Sequence, residues 1–197
     1  GFDYVMFTNI PNYVEKTGWT PIYKDLIDDH PIYTAKYYKW IAHKYLVNYD
    51  LAIYVDAYMS PNCNINWKIY INKLNDVNLG AILMKHPERN CIYHECNAIV
   101  MCKKDTRENM TKVINFLRDN NMPHNYGLSA SGLFMRNLKN DTFNKLCEEL
   151  YALMKQFTYR DQALLAYVFW KNGLKIDTEF TKDFYTISGV MGDHNYI

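Results

Sequence analysis

The sequence lacks any long apolar run and any excess of one charge. Its longest apolar run, residues 163–170, is far shorter than the roughly 20 residues that a membrane-spanning helix needs. Lysine and arginine (22) balance aspartate and glutamate (21), so no broad basic surface exists to hold nucleic acid or an anionic membrane. We therefore expect a chain without a membrane span that does not bind nucleic acid.

Cysteine is too scarce, and odd in number, for a disulfide framework. Five cysteines in 197 residues favour reduced thiols in a reducing compartment. Zinc binding is an alternative, but the spacing of the soft ligands matches no usual pair such as C-x2-C, so buried thiols are the stronger interpretation. The soft ligands concerned are His86, Cys91, His94, Cys96 and Cys102.

Several common catalytic motifs are also missing. No G-x-S-x-G, P-loop or G-x-G-x-x-G sequence is present, which removes the commonest hydrolase, nucleotide-triphosphatase and dinucleotide-binding explanations.

Aromatic residues are abundant instead, at 16% of the chain with 18 tyrosines. Their rings pack cores, and they also stack on bases and on the apolar faces of sugars.

Strand and helix patterns alternate along the chain. This alternation predicts an α/β sheet with helices on both faces, in which ligands bind at the carboxyl ends of strands. Strands are predicted at residues 4–8, 50–56, 80–84 and 128–135, and helices at residues 33–47, 67–74, 88–102, 105–118, 142–154 and 159–170.

Asp56 ends the most apolar of these strands. Residues 50–56 are nearly continuous apolar residues between two acids, a pattern typical of a central parallel strand buried on both faces. A carboxylate at that edge can hold Mg²⁺ or Mn²⁺ bridging two phosphates. The alternative interpretation is a strand-ending aspartate that caps a turn.

Arg160, Asp161 and Gln162 begin the last predicted helix. A carboxylate there is stabilised by free backbone amides and the helix dipole, so Asp161 can be explained as a cap. In the functional interpretation the three polar side chains converge on hydroxyls, and Asp161 accepts a proton from an attacking alcohol. Both interpretations stay open at this point.

Basic side chains lie before two of these features. His86 and Arg89 fall in a strand-to-helix connection, where we expect contacts to phosphate or to an acceptor; a solvated loop is the alternative. Lys36 and Lys39 lie on the helix before Asp56, where they could neutralise a diphosphate, although lysines on helix faces are usually solvated.

Taken in chain order, these segments resemble GT-A glycosyltransferases over about residues 2–175. Within that family they are most similar to bacterial polysaccharide enzymes and to the capsid-glycosylating enzymes of large algal DNA viruses. The segments that carry the resemblance are Phe7-Thr8-Asn9, Ala35-Lys36-Tyr37, Ile53-Tyr54-Val55-Asp56-Ala57, His86 to Arg89, Tyr93 to Glu95, Ser131-Gly132 and Arg160-Asp161-Gln162.

The resemblance implies a single GT-A-like (Rossmann-like) domain over residues 1–197, with a mostly parallel central sheet; we expect the family's first strand to precede Gly1. It implies an enzyme that moves a hexose, glucose-like or rhamnose-like, from a UDP-sugar to a hydroxyl of a glycan or glycoprotein, assisted by Mn²⁺ or Mg²⁺. We expect a cytoplasmic location, in the host cytoplasm if the protein is viral.

The resemblance also implies roles for single residues. Asp161 is expected to be catalytic, and Asp56 and His194 are expected to bind the metal. Tyr58 stands where the family usually places its main metal ligand, so a non-catalytic carbohydrate or nucleotide-sugar-binding module with a degenerate D-x-D motif is the alternative function. The residues expected to bind the donor are Thr8, Asn9, Lys36, Asp56, Ser131, Gly132, Arg160 and Gln162.

Overall fold

A mixed four-stranded sheet organises the described part of the chain. The computed structural model describes residues 2–10, 18–76, 79–176 and 178–187. Among these residues, eight strands and six α-helices are present. The strands are β1 (Val5–Thr8), β2 (Thr20–Tyr23), β3 (Leu51–Val55), β4 (Met59–Pro61), β5 (Ala81–Lys85), β6 (Ser129–Asn137), β7 (Thr178–Phe180) and β8 (Tyr185–Ile187).

The helices confirm most of the predicted segments, with two of them interrupted. The predicted helix over residues 33–47 ends at Trp40, and a 3-10 turn follows it at Ala42–Lys44. The helix predicted over residues 159–170 begins as a 3-10 turn at Asp161–Ala163. The α-helices are α1 (Pro31–Trp40), α2 (Trp67–Asp76), α3 (Ile92–Met101), α4 (Arg107–Asp119), α5 (Asp141–Phe157) and α6 (Leu165–Lys171).

The four-stranded sheet has the order β3-β6-β5-β7. Strand β6 is antiparallel to both β3 and β5, whereas β5 and β7 are parallel. The prediction of a mostly parallel sheet is therefore not confirmed, and the fold class is a mixed α/β arrangement. Continuous apolar residues do not report strand direction. The prediction that the strand ending at Asp56 is central and buried on both faces is also wrong, because β3 lies at the end of the four-stranded sheet and its residues are only partly buried.

Both faces of this sheet are covered. Along β5, Ala81 and Leu83 point into one core cluster, and Ile82 and Met84 point into another, as the period of two along a strand requires. Helices α3 to α6 supply the first cluster, and α2 packs against the second through Trp67. The predicted helices on both faces are present.

Short strands account for the remaining pairing. Strands β1 and β2 form a parallel pair, and β4 pairs antiparallel with β8. None of β2, β4, β7 and β8 was expected from the sequence, because these segments of three or four residues lack the continuous apolar pattern that indicated β1. Within the described residues, no helix is long and apolar enough to cross a membrane.

Candidate functional site

Asp56 lies immediately after β3, next to the first residues of β6. Its backbone N–H donates to the carbonyl of Gly132 over 2.8 Å. A Cβ atom at Gly132 would lie 3.1 Å from Oδ2 of Asp56 and 3.0 Å from the sulfur of Met59. Glycine at this position therefore leaves space for the Asp56 carboxylate. The structure places Asp56 beside Ser131 and Gly132, and their predicted contacts to a donor remain predictions.

Two lysines of α1 extend toward the end of β3 at which Asp56 lies. Lys36 and Lys39 are three residues apart, so they lie on one face of the helix. Nζ of Lys36 lies 2.8 Å from Oδ2 of Asp161, and Nζ of Lys39 lies 2.9 Å from the same oxygen. Lys39 also donates to the hydroxyl of Ser131 over 3.0 Å and lies 3.8 Å from Oδ1 of Asp56.

Asp161 is the most enclosed carboxylate of the cluster, with a side chain 4% exposed. Besides the two lysines, its Oδ2 accepts a hydrogen bond from the indole of Trp40 over 3.1 Å, and its Oδ1 accepts from the backbone N–H of Gln162 over 3.1 Å. Burial acts to raise the pKa of Asp161, but Lys36 and Lys39 overcome it and hold the pKa well below the usual range. A carboxylate so strongly held in its charged form is a weak proton acceptor.

A stack of three aromatic rings supports both carboxylates. Phe134 stacks on both Trp40 and Tyr54, with centroid distances of 5.0 Å and 5.1 Å and interplanar angles of 5° and 24°. Trp40 donates to Asp161 at one end, and the hydroxyl of Tyr54 donates to Oδ1 of Asp56 over 2.9 Å at the other. The spacing of the two acids is therefore fixed by ring packing in the core.

Lys39 lies against this stack as well. Its Nζ is 5.2 Å from the ring centroid of Trp40 and 4.8 Å from that of Tyr54, and its side chain is 2% exposed. An ammonium that deep is stable only when opposite charges, hydrogen bonds and aromatic faces replace its hydration. The alternative interpretation of Lys39, a solvated side chain on a helix face, is therefore wrong.

Burial shifts two further groups of the site. It lowers the pKa of Lys36 to about 8, even though Asp161 acts to raise that pKa. Burial raises the pKa of Tyr54 well above its usual value, and the Asp56 carboxylate adds to the rise. Tyr54 is therefore a neutral hydrogen-bond donor at any physiological pH, whereas Lys36 can exchange its proton in mildly basic solution.

Arg160 and Gln162 flank Asp161. The backbone N–H of Arg160 donates to the hydroxyl of Thr158 over 3.0 Å. Burial and Asp56 raise the pKa of Tyr58, and the Arg160 guanidinium acts weakly against that rise. Gln162 is half-buried.

His86 and Arg89 belong to a separate, internally paired network. The Nε of Arg89 donates to Glu95 over 2.6 Å, and its NH1 donates to Glu88 over 2.7 Å. Nδ1 of His86 accepts from the backbone N–H groups of Glu88 and Arg89, which leaves Nε2, 3.4 Å from Glu95, to donate. These side chains are engaged with one another, and their predicted contacts to phosphate or acceptor remain predictions.

This network adjoins the Asp161 cluster through the backbone. Glu95 is on α3, which packs against the 3-10 turn Asp161–Ala163. Burial acts to raise the pKa of Glu95, but His86 and Arg89 lower it below its usual value. The network thus anchors the helix on which the Asp161 turn rests.

Thr8 and Asn9 lie at the end of β1. The Thr8 hydroxyl accepts from the backbone N–H of Ile10 over 3.1 Å. The preceding Phe7 stacks on Tyr38 with centroids 5.1 Å apart, so β1 packs on the helix that carries the two lysines. His194, predicted as a metal ligand, lies outside the described residues.

The described side chains do not by themselves form a divalent-cation site. Mg²⁺ and Mn²⁺ prefer several oxygen ligands at once, but Asp161 already accepts from Lys36, Lys39, Trp40 and Gln162. Within residues 2–10, 18–76, 79–176 and 178–187, no group of three or more His, Cys, Asp or Glu side chains is arranged to hold a metal.

The cysteines of the predicted zinc alternative are dispersed. Cys91 is buried with its sulfur 3.6 Å from Nδ1 of His124, Cys102 is exposed, and burial raises the pKa of Cys96 to about 12. The interpretation of Cys96 as a buried thiol is confirmed, and the same interpretation of Cys102 is wrong, because Cys102 is exposed.

Trp40 and Tyr54 are the site residues that the sequence did not indicate. Lys39 and Trp40 are adjacent in the chain at the end of an apolar stripe, which offered only a weak signal.

Comparison with known proteins gives no match to any family model and none to a curated protein. Chemically, the site combines two carboxylates and two ammonium groups with hydrogen-bond donors fixed by the core.

Proposed function

We propose that the protein is a glycosyltransferase that moves a hexose from a UDP-sugar to a hydroxyl of a glycan or glycoprotein. The observation that carries the proposal is the cluster of Lys36, Lys39, Asp56 and Asp161 at the carboxyl end of β3. In open α/β sheets this edge is where ligands bind.

Cations at the edge suit the leaving diphosphate. Negative charge develops on the diphosphate as the glycosidic bond breaks, and fixed positive groups stabilise it most when they are already in place. Lys36, with 19% of its side chain exposed, is the cluster lysine that reaches the surface. Arg160, which precedes Asp161 in the chain, is proposed as a second cation for the diphosphate.

The two carboxylates suit different tasks. Asp56 is 30% exposed, whereas Asp161 is 4% exposed, so Asp56 is the one that can accept hydrogen bonds from sugar hydroxyls. Asp161 is enclosed and strongly acidic, which favours a positioning role in which it holds the two lysines and the turn that carries Arg160 and Gln162. If transfer inverts the anomeric centre, Asp56 is the accessible base.

The remaining assignments follow the resemblance. Thr8 and Asn9, at the end of the strand that packs on α1, are proposed to contact the uracil and ribose. Ser131, which holds Lys39, is proposed to lie beneath the donor sugar. The five cysteines are free, which supports a reducing compartment such as the cytoplasm.

Release of UDP tests the proposal. The purified protein is incubated with a panel of UDP-sugars, with and without glycan acceptors, and free UDP is measured over time. Release by the wild type that is lost in Asp56→Asn and retained in Lys112→Met supports it. Lys112 is a matched control because it is an exposed lysine on α4, paired only with Glu108. No UDP release with any donor contradicts the proposal.

A non-catalytic carbohydrate-binding or nucleotide-sugar-binding module is the second candidate. Tyr58, at the position where the resemblance implies the main metal ligand, favours it. Such a module would bind UDP-sugar or glycan and release no UDP. Binding without turnover would therefore replace the first candidate with the second.

A further inference from the structure

The ammonium of Lys39 lies between the two carboxylates of the site. Its Nζ is 2.9 Å from Oδ2 of Asp161 and 3.8 Å from Oδ1 of Asp56. The third direction is taken by the Ser131 hydroxyl at 3.0 Å. A positive charge is therefore already built into the place where a bound cation would bridge the two acids.

The surroundings hold this ammonium in one position. Trp40 and Tyr54 present their ring faces to it at 5.2 Å and 4.8 Å. The side chain is 2% exposed, so exchange with water does not compete with these partners. The position of the Lys39 ammonium group is therefore set by several neighbours at once.

We propose that the Lys39 ammonium replaces the divalent cation of the sugar-nucleotide site, so that the protein binds its nucleoside diphosphate sugar without a metal. This inference rests on the proposed function. It departs from the Mn²⁺ or Mg²⁺ that the family resemblance implies.

Charge balance supports the replacement. Lys36 and Lys39 match Asp56 and Asp161 in number, so the cluster is neutral before any ligand arrives. A divalent ion bound at Asp56 would lie near the Lys39 ammonium, and two positive charges in a poorly hydrated place repel strongly. At position 58, where the family usually has its main metal ligand, this chain has a tyrosine, whose neutral hydroxyl is a poor ligand for these ions.

The lysine also explains what holds the acids in place. In a metal-dependent site the ion sets the distance between the carboxylates. Here Lys36, Lys39 and Trp40 hold Asp161 in place, and Tyr54 holds Asp56 in place. The cluster is complete as a hydrogen-bonded unit. Lys36, which is 19% exposed, is the lysine left to meet a diphosphate directly.

Isothermal titration of UDP into the wild type, in EDTA and in MnCl₂, tests the inference. A parallel titration of Mn²⁺ into UDP alone corrects for metal binding by the nucleotide. We expect the two UDP dissociation constants to agree within about threefold. A tightening of about tenfold or more in Mn²⁺ that disappears in Asp56→Asn would overturn the inference.

A second variant examines the lysine itself. Lys39→Met removes the charge and keeps the length of the side chain, and its fold is checked by circular dichroism. We expect weaker UDP binding in EDTA and a gain of Mn²⁺ dependence, because Asp56 is then released for an ion. If Lys39→Met does not fold, the wild-type comparison still decides.

The two possible failures are distinct. Metal-dependent UDP binding overturns the role of Lys39 and leaves the glycosyltransferase proposal intact. Absence of UDP binding in both buffers contradicts the nucleotide-sugar site, and the inference about Lys39 falls with it.

Discussion

The indole nitrogen of Trp40 donates a hydrogen bond of 3.1 Å to Oδ2 of Asp161, an oxygen that also meets the ammonium groups of Lys36 and Lys39. Three donors thus converge on one buried oxygen. Because Trp40 stacks on Phe134 in the core, the position of the carboxylate depends on the packing of the sheet.

Trp40→Phe should separate the hydrogen bond from the ring packing. Phenylalanine keeps an aromatic face on Phe134 but removes the donor to a buried charge, so we expect a loss of about 2 kcal/mol in the free energy of unfolding. Urea denaturation measures it. Trp170→Phe, a change at a half-buried indole of α6 outside the cluster, is the control; equal losses in both variants would contradict a specific role for the hydrogen bond.

Asp161→Asn should lower the stability of the protein, whereas Asp56→Asn should weaken its binding of UDP-sugar. The first leaves two lysines without their shared counter-charge in a buried place, and breaking such a pair costs roughly 3 to 5 kcal/mol. The second alters a carboxylate that is 30% exposed, so we expect little change in stability but a clear loss of UDP-sugar binding. Chemical denaturation and isothermal titration of both variants give the two measurements. A stable Asp161→Asn protein would argue against the positioning role.

Gly132→Ala should disturb the site at close range. The added Cβ would lie 3.1 Å from Oδ2 of Asp56 and 3.0 Å from the sulfur of Met59. The carboxylate has to move by a few tenths of an ångström, and we expect UDP-sugar affinity to fall about tenfold with a stability loss of about 1 kcal/mol. Unchanged affinity in a correctly folded variant would show that Asp56 does not contact the donor.

Arg89→Met should reveal a structural role for the His86 network. It leaves Glu95, whose side chain is 7% exposed, with only His86 as a partner, and we expect a loss of about 2 to 3 kcal/mol in thermal or urea unfolding. Glu88→Gln alters the other, exposed partner of Arg89 and is the control, with an expected change below about 0.5 kcal/mol. A drop in UDP affinity without loss of stability would support the predicted phosphate contact instead.

The sequence indicated the strand that ends at Asp56 because residues 51–55 are apolar on both faces. It also indicated α4, which begins two residues after the start of the helix predicted over residues 105–118. The direction of β6 was not predictable, because a doubly buried strand looks the same in either direction.

The burial of Lys39 was equally hidden. Its partners Asp56, Ser131 and Asp161 come from three other segments of the chain, so only the folded arrangement brings them together. From the sequence alone, a lysine on an amphipathic helix is expected to point to water. The same long-range dependence hid β4, whose partner β8 lies more than a hundred residues away.

As the pH rises, deprotonation of Lys36 should change UDP affinity and the free energy of unfolding in opposite directions. Burial lowers its pKa from 10.5 to about 8 in the folded protein, so the folded chain loses this proton near pH 8 while the unfolded chain keeps it to about pH 10.5. Between these values the unfolded state binds more protons, and the contribution of Lys36 to the free energy of unfolding rises with pH. We expect UDP affinity to fall over the same interval, because the ammonium that meets the diphosphate is lost.

Two variants isolate this group from the tyrosines that titrate nearby. Lys36→Met should remove the rise in stability between pH 8 and 10, a difference on the order of 1 kcal/mol when subtracted from the wild type. Lys36→Arg keeps its charge throughout this range, so its UDP affinity should stay flat where that of the wild type declines. Parallel profiles for wild type and Lys36→Arg would show that Lys36 does not contact the nucleotide, because the arginine side chain cannot lose its proton under these conditions.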